Sequence, residues 1–427
     1  MKAGESPSAD DQFPMGDRLD ARASIAFPAE LAIHRLSSRV ASAEQSNTSI
    51  VYGDRFILKI YRRLQAGENP DVEIGRFLSD VAHFQQIPPF YGDISISSDV
   101  SDKTTVTMLQ GLVANEGDGW QWFLDQLSNW FESVADRHAP EDSLTPSLSS
   151  ERKPIPEALY AARESLEAAG LLGKRTAEMH LALSRHANVP AFAPEPMTRE
   201  DLTGEAERIQ VQIKTALEAL KQKIPTLDEP TSDTAGLLLS RRPDLMARAR
   251  SLAALVAGGQ RIRIHGDYHL GQTLRTGGAS GDEEATLASS TGDFVILDFE
   301  GEPARSVEER RRKQSPLKDV AGMMRSFSYV SFAALDRFVA AKDKAVQAVD
   351  RSDAAGWARL WQNSASAMFL WAYRDTIDAN PALLAAPNES QDLLNAYLLE
   401  KALYELLYEL NNRPAWLHIP MNGIVSL

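Results

Sequence analysis

Ile264-His265-Gly266-Asp267-Tyr268-His269-Leu270-Gly271-Gln272, with its sequel Phe294-Val295-Ile296-Leu297-Asp298-Phe299-Glu300, is the stretch that decides the fold. His265 stands two positions ahead of Asp267, and the side-chain amide of Gln272 follows Asp267 by five. The sequel is an apolar strand pattern that ends by delivering Asp298, followed by Phe299. Residues 276–292 are largely Gly, Ser, Ala and acidic, which reads as an exposed hairpin connection. Taken singly, Asp267 and Asp298 could each cap a turn beside a buried strand. Their joint occurrence with the His and the amide is a much rarer event than either alone.

Protein kinases space a catalytic loop and a metal-binding aspartate in this way, and the chemistry explains the spacing. Phosphoryl transfer needs one carboxylate beside the acceptor hydroxyl, plus oxygen ligands that hold magnesium against the ATP phosphates. A loop between two strands can supply both. On this reading Asp267 accepts or orients the acceptor proton, Gln272 offers an amide oxygen to magnesium, and Asp298 is the principal metal ligand. His265 braces the loop through hydrogen bonds.

Upstream, two β-rich runs between Glu44 and Ile60 flank Tyr52-Gly53-Asp54-Arg55 and predict a hairpin. Lys59 lies near the end of the second run, on the opposite face from Leu58 and Ile60. A kinase lysine there reaches the α and β phosphates; an ordinary exposed strand lysine is the alternative. The preceding loop, Gln45-Ser46-Asn47-Thr48-Ser49, is not glycine-rich, so Ser46, Asn47 and Thr48 would meet phosphate through hydroxyl, amide and backbone N–H groups. After Asn69-Pro70-Asp71, the spacing of Ile74, Phe77, Leu78 and Val81 predicts an amphipathic helix. Its Glu73 either aims Lys59 or simply suits the positive end of the helix dipole. The apolar run 106–113 leads into a Gly-containing connector, which fits a hinge where Gln110, Leu112 and Val113 dock adenine, or an ordinary strand and turn.

The 427 residues carry a formal charge of −14 and no cysteine. The acidity argues against a nucleic-acid or anionic-membrane partner. Without cysteine there are no disulfides, thiolate nucleophiles or Cys-ligated zinc, which fits a cytoplasmic protein. No apolar stretch is long enough to span a bilayer. HExxH, GxSxG and GxxxxGK patterns do not occur.

Downstream of the connector, Trp120, Phe123, Leu124, Leu127, Trp130 and Phe131 form a helical stripe for the core. Residues 138–156 read as a long surface loop, and helices are predicted over 157–168, 171–184, 201–223 and 243–255. His180 is expected to be buried and hydrogen-bonded. Asp319 lies near the amino end of a further helix, where it braces the catalytic loop or caps the helix. Lys401, Tyr404, Glu405 and Tyr408 fall on one face of a helix over 398–410. Rings, donors and acceptors together suit a polyol; a solvated face is the plain alternative.

Several segments are shared in kind with one family: residues 44–49, Gly67-Glu68-Asn69-Pro70-Asp71-Val72-Glu73, residues 115–120, His265-Gly266-Asp267-Tyr268-His269, Asp298-Phe299-Glu300-Gly301-Glu302-Pro303 and residues 318–323. By these the chain resembles bacterial maltokinases, in the aminoglycoside-phosphotransferase branch of kinase-like folds. The resemblance implies ATP and Mg2+ as cofactors and phosphorylation of maltose at the anomeric hydroxyl, giving maltose 1-phosphate for α-glucan synthesis. It gives Asp267, Gln272 and Asp298 the roles above and puts Lys401, Tyr404 and Tyr408 at the sugar. Similar domains also occur fused behind trehalose synthases, so such an enzyme is an expected associate. The expected architecture is a bilobal, protein-kinase-like α+β fold with ATP and magnesium between the lobes. Residues 1–23 would be a flexible tail, 24–113 a small β-rich lobe and 114–427 a large, mostly helical lobe. A kinase of another sugar such as glucosamine, or a non-catalytic nucleotide-binding regulator, are the rival readings.

Overall fold

A computed structural model describes residues 17–27, 36–41, 47–98, 103–134, 136–141, 144–149, 151, 154–277, 292–344 and 351–427. The chain divides into two compact units. The first is Met1–Glu116 with His265–Asp267 and Thr276–Arg312; the second is Gly117–Ile264 with Tyr268–Arg275 and Lys313–Leu427. Among the described residues no helix is long and apolar enough to cross a membrane.

The first unit is built on an antiparallel sheet of β1 (Asp17–Ala23), β2 (Ser38–Val40), β3 (Asn47–Tyr52), β4 (Phe56–Tyr61), β5 (Phe90–Ser98) and β6 (Thr104–Gly111), in the order β1-β5-β6-β4-β3-β2. The β3–β4 hairpin turns at Gly53, whose φ of 58° is left-handed. Its register sets Ser49 opposite Lys59, and the β4–β6 register sets Lys59 opposite Met108. Two expectations change here. Asp17–Ala23 is a paired edge strand, not tail; its side chains from Arg18 to Ala23 are exposed, so backbone pairing is what mainly holds it, with Ser97 Oγ donating to Asp20 Oδ2, and no apolar period marks it. Asn47 and Thr48 belong to β3, where alternate residues are buried, and not to a loop; Ser46 lies outside the described residues.

The helix α1 (Pro70–Arg76) starts as its sequence predicts. Asn69 caps it, its Oδ1 accepting the N–H of Asp71 at 2.9 Å, and Pro70 takes the first turn, where no N–H is needed. A single π turn, Phe77–Val81, prolongs it. That wide turn carries Val81 off the apolar stripe, leaving it 39% exposed while Ile74, Phe77 and Leu78 are buried. Tyr61, Val72, Phe90 and Met108 pack together beneath the sheet. The strand β10 (Asp293–Ile296) and the short helix α7 (Val307–Arg310) complete the unit, with the N–H of Ile296 donating to Gln86 O. The connection expected over 276–292 falls mostly outside the described residues.

The second unit is helical: α2 (Gly119–Val134), α3 (Arg163–Ser184), α4 (Arg199–Lys223), α5 (Glu229–Ser240), α6 (Arg242–Ser251), α8 (Leu317–Lys344), α9 (Arg351–Ile377), α10 (Pro387–Asn412) and α11 (His418–Ser426). A two-residue ladder of β7 (Glu195–Pro196) with β8 (Gln260–Arg261), and β9 (Thr273–Thr276), are its short strands. The stripe on α2 is core, with Phe123, Leu127, Trp130 and Phe131 buried; Phe123 meets Phe327 and Trp361 edge-on at 5.8 and 6.0 Å. Each such side chain contributes roughly 1.5–3 kcal/mol on burial. A 3-10 turn, Glu157–Ala162, replaces the start of the helix predicted over 157–168, and α3 then runs unbroken through Gly170. Gly173 is there for proximity, because a Cβ on it would lie 2.1 Å from Phe369 O of α9.

Candidate active site

The two aspartate-bearing turns of the first unit are tied together by His265. Its Nε2–H donates to Leu297 O at 2.8 Å, and its Nδ1 accepts the N–H of Asp267 at 3.4 Å. The carbonyl fixes the tautomer, since it can only accept. The ring lies against Phe299, with centroids 4.9 Å apart, and the residue is buried. One imidazole thus holds the residue before Asp298 and the backbone of Asp267. Glycines make room: Gly266 and Gly301 have φ of 83° and 71°, and a Cβ on Gly266 would sit 3.4 Å from Gly301 Cα. Asp298 itself has φ of 63°, strained for a residue with a side chain.

Beside Asp298 stands Lys59. Lys59 and Tyr61 leave β4 on the same face, as alternation requires, and both reach Asp71. Lys59 Nζ donates to Asp71 Oδ2 at 3.0 Å and to Asp298 Oδ1 at 2.9 Å, while Tyr61 OH donates to Asp71 Oδ2 at 3.3 Å. Asp71 Oδ1 accepts the N–H of Phe299 at 2.9 Å. Burial works to lower the pKa of Lys59, yet Asp71, Asp298 and Glu300 together hold it well above the ordinary lysine value.

Asn47 Nδ2 donates to Glu300 Oε1 at 2.6 Å. Burial first, then the Asp71 and Asp298 carboxylates, push the Glu300 carboxyl up to about 7, against the pull of Lys59 and of the Asn47 bond. Asp71, Asp298 and Glu300 each offer an oxygen within 4.8 Å of the others. Such hard oxygen donors fit magnesium or calcium and not a soft metal.

Glu73 does not aim Lys59. Its carboxylate takes the Arg311 guanidinium in two parallel bonds, Nε to Oε2 at 2.9 Å and the second nitrogen to Oε1 at 2.8 Å. The reason is positional: Asp71, two residues earlier in the first turn of α1, already occupies the lysine. Asp71, Glu300 and Arg311 were not singled out from sequence, although the helix start Asn69-Pro70-Asp71 was the available signal for the first. At the proposed hinge, Leu112 N–H donates to Arg55 O at 2.8 Å, so that amide serves the sheet and not an adenine. Gln110 pairs with Ile57 and Phe90 within β6, and Val113 O accepts from Asn115 Nδ2 at 2.8 Å.

In the second unit Gln272 ends a 3-10 turn, Leu270–Gln272, its N–H donating to His269 O at 2.9 Å. The same turn is held by Ser326 of α8, whose Oγ accepts the N–H of Leu270 at 3.0 Å. Asp319 and His180 are fully buried partners, Nε2 to Oδ2 at 3.0 Å, with the Tyr373 hydroxyl 3.0 Å from His180 Nδ1. On α10, Tyr404 and Tyr408 are 38% and 45% exposed, and Lys401 Nζ lies 5.0 Å from the centre of the Tyr404 ring. Glu405 leaves that face: it accepts from Arg325 Nε at 2.9 Å, with only 11% of its side chain exposed.

No family model matches the chain. It is 26% identical over 392 residues to a glucosamine kinase of Mycolicibacterium smegmatis, spanning 91% of this chain and 79% of that protein. To a glucosamine kinase of Streptacidiphilus jiangxiensis it is 24% identical over 394 residues, spanning 90% and 72%. Among solved structures, a glucosamine kinase in complex with glucosamine, ADP and inorganic phosphate superposes with a TM-score of 0.66 at 21% identity, covering 96% of this chain and 81% of that one. A second crystal form of a glucosamine kinase gives 0.67 at 20% identity. The fold is the bilobal, kinase-like α+β fold of these enzymes.

Proposed function

We propose that the chain is an ATP-dependent sugar kinase and that glucosamine is its acceptor. The observation that carries the kinase reading is the convergence in one unit of His265-braced Asp267, Asp298 and Lys59, the last 2.9 Å from Asp298. In the reaction the Asp267 carboxylate takes the proton of the acceptor hydroxyl as that oxygen bonds the γ-phosphorus and the bond to the bridging oxygen breaks, leaving ADP. The Lys59 ammonium donates to the phosphate oxygens of the nucleotide. Asp298 and Glu300 would hold magnesium, which when bound supplies positive charge against the transferring phosphoryl group. Asn47 keeps Glu300 in place. On α10 the half-buried Lys401 and the exposed Tyr404 and Tyr408 would meet the sugar, ring against ring and donor to hydroxyl.

Glucosamine is preferred to maltose because the relatives that span most of the chain are glucosamine kinases. A chain of net charge −14 also favours encounter with a cationic amino sugar. The test is ADP release from Mg-ATP with glucosamine, glucose, maltose, trehalose and an aminoglycoside, with Asp267→Asn as blank. Glucosamine should give the fastest turnover, and Asp267→Asn should lose about 100-fold to 10,000-fold of it. Faster turnover of maltose would move the acceptor to the disaccharide; ADP release from no sugar at all would sink the kinase reading. Tyr404→Ala should raise the KM for sugar and leave the KM for ATP in place.

A further inference from the structure

The second unit holds a cavity that the proposed reaction does not use. It is lined by α8, α9, α10, α11 and residues 144–146, all within that unit, and its volume is about 280 Å³. That is close to the lower end of the roughly 300–1,000 Å³ of small-molecule sites. It opens to solvent at Thr145 and Asn395, which are exposed. The loop that carries Asp267 lies on another side of α8. A Cβ on Gly322 would sit 2.5 Å from Tyr268 O, and Ser326 Oγ accepts the N–H of Leu270, whereas Met324, which lines the cavity, stands half a turn from both glycine and serine. On α10, Asn395 and Tyr404 are separated by about 13–14 Å of helix.

The walls select one kind of ligand. Gln362, Asn363 and Asn395 present side-chain amides and Ser366 a hydroxyl, groups that both donate and accept, as alcohols do. Ser366 is 2% exposed, and among the described residues its hydroxyl has no hydrogen-bond partner. Asn395 Oδ1 already accepts from Gln391 Nε2 at 2.9 Å, which leaves its Nδ2 hydrogens as donors. Among the described residues Arg325 is the one charged side chain on the wall, and Glu405 neutralises it from 2.8 Å. A charged ligand would therefore lose its hydration without gaining a counter-ion. Met324 and Leu398 add apolar surface.

We propose that this cavity binds an uncharged, hydroxyl-rich molecule of monosaccharide size, at a site separate from the Tyr404 face of α10. The amides and the Ser366 hydroxyl bond its hydroxyl groups, and Met324 and Leu398 pack against its C–H faces. Binding of this kind needs no phosphoryl transfer, so it stands apart from the kinase reading.

The test is a ligand-observed NMR titration of the full chain without nucleotide, with glucose, myo-inositol and inorganic phosphate as probes. Glucose or myo-inositol should bind and phosphate should not. Asn395→Ala, a truncation at an exposed position, should weaken that binding about threefold to tenfold, the usual loss for one hydrogen bond. Gln362→Ala should do the same, and Tyr404→Ala should leave the affinity where it was; thermal melts check that each variant is folded. Failure of both polyols to bind the wild type would overturn the proposal. So would tighter binding of phosphate, an affinity that Asn395→Ala and Gln362→Ala leave untouched, or one that Tyr404→Ala weakens as much as they do.

Discussion

The two units hold themselves together by opposite means. At the centre of the first, one ammonium and three carboxylates crowd into a space that also holds a histidine and a strained backbone. The second is centred on dry helix contacts, where Phe123, Phe327, Trp361 and Phe369 meet edge to face and Gly173 lets α3 close on α9. On the proposed function charge in the first is kept for reactivity, and each ion there depends on its neighbours. Packing in the second is many small contacts, none indispensable to chemistry.

Lys59→Met breaks this contrast most severely. It leaves Asp71 buried without its cation, which costs about 3–5 kcal/mol, and a thermal melt should show a large loss of stability that no substitution of similar size on the surface of α4 produces. If Lys59→Met melted like the wild type, Asp71 would not depend on the lysine.

Glu300 offers a pH measurement with a definite sign. Its carboxyl is pushed from 4.5 to about 7 in the folded chain, so the folded state holds the proton more tightly than the unfolded one. Between those values folding binds protons, and the stability contributed by protonated Glu300 is present below 4.5 and lost as pH rises towards 7 and past it. The change is roughly 3 kcal/mol at most. Glu300→Gln should flatten the stability profile over that window, as read by urea melts at a series of pH values.

The smallest effect belongs to the helical unit. Gly173→Ala forces a methyl against Phe369 O and should cost about 1–3 kcal/mol, with turnover per folded molecule unchanged. A loss of turnover without a loss of stability would show that α3 and α9 do more than pack.

The same contrast governs what could be read from sequence. Apolar period exposes the helical unit directly, since Phe123, Leu127, Trp130 and Phe131 must face the core wherever the helix goes. Asp267, Asp298 and Lys59 stand out because phosphoryl transfer restricts their types and spacing. Asp71 does not, because the choice between it and Glu73 depends on how α1 meets β4, and two acids two residues apart look alike in a string. Glu300 was passed over for the same reason, its neighbour Asp298 having satisfied the motif. β1 is hard to read, since a strand that buries no side chain from Arg18 to Ala23 writes no apolar period into its sequence. The joining of α3 across Gly170 is hidden because glycine commonly ends helices but is also tolerated inside them.

The backbone of Asp298 has one more consequence. A left-handed φ of 63° is one that glycine adopts at no steric cost, whereas other residues give up roughly 1–2 kcal/mol to hold it. The fold would therefore be better served by Asp298→Gly, which also thins the crowd of carboxylates while Asp71 keeps Lys59. Such a chain should melt at a higher temperature and phosphorylate nothing. Selection for durability alone would erase this residue, so on the proposed function its presence marks the position where the molecule is tuned for work over endurance.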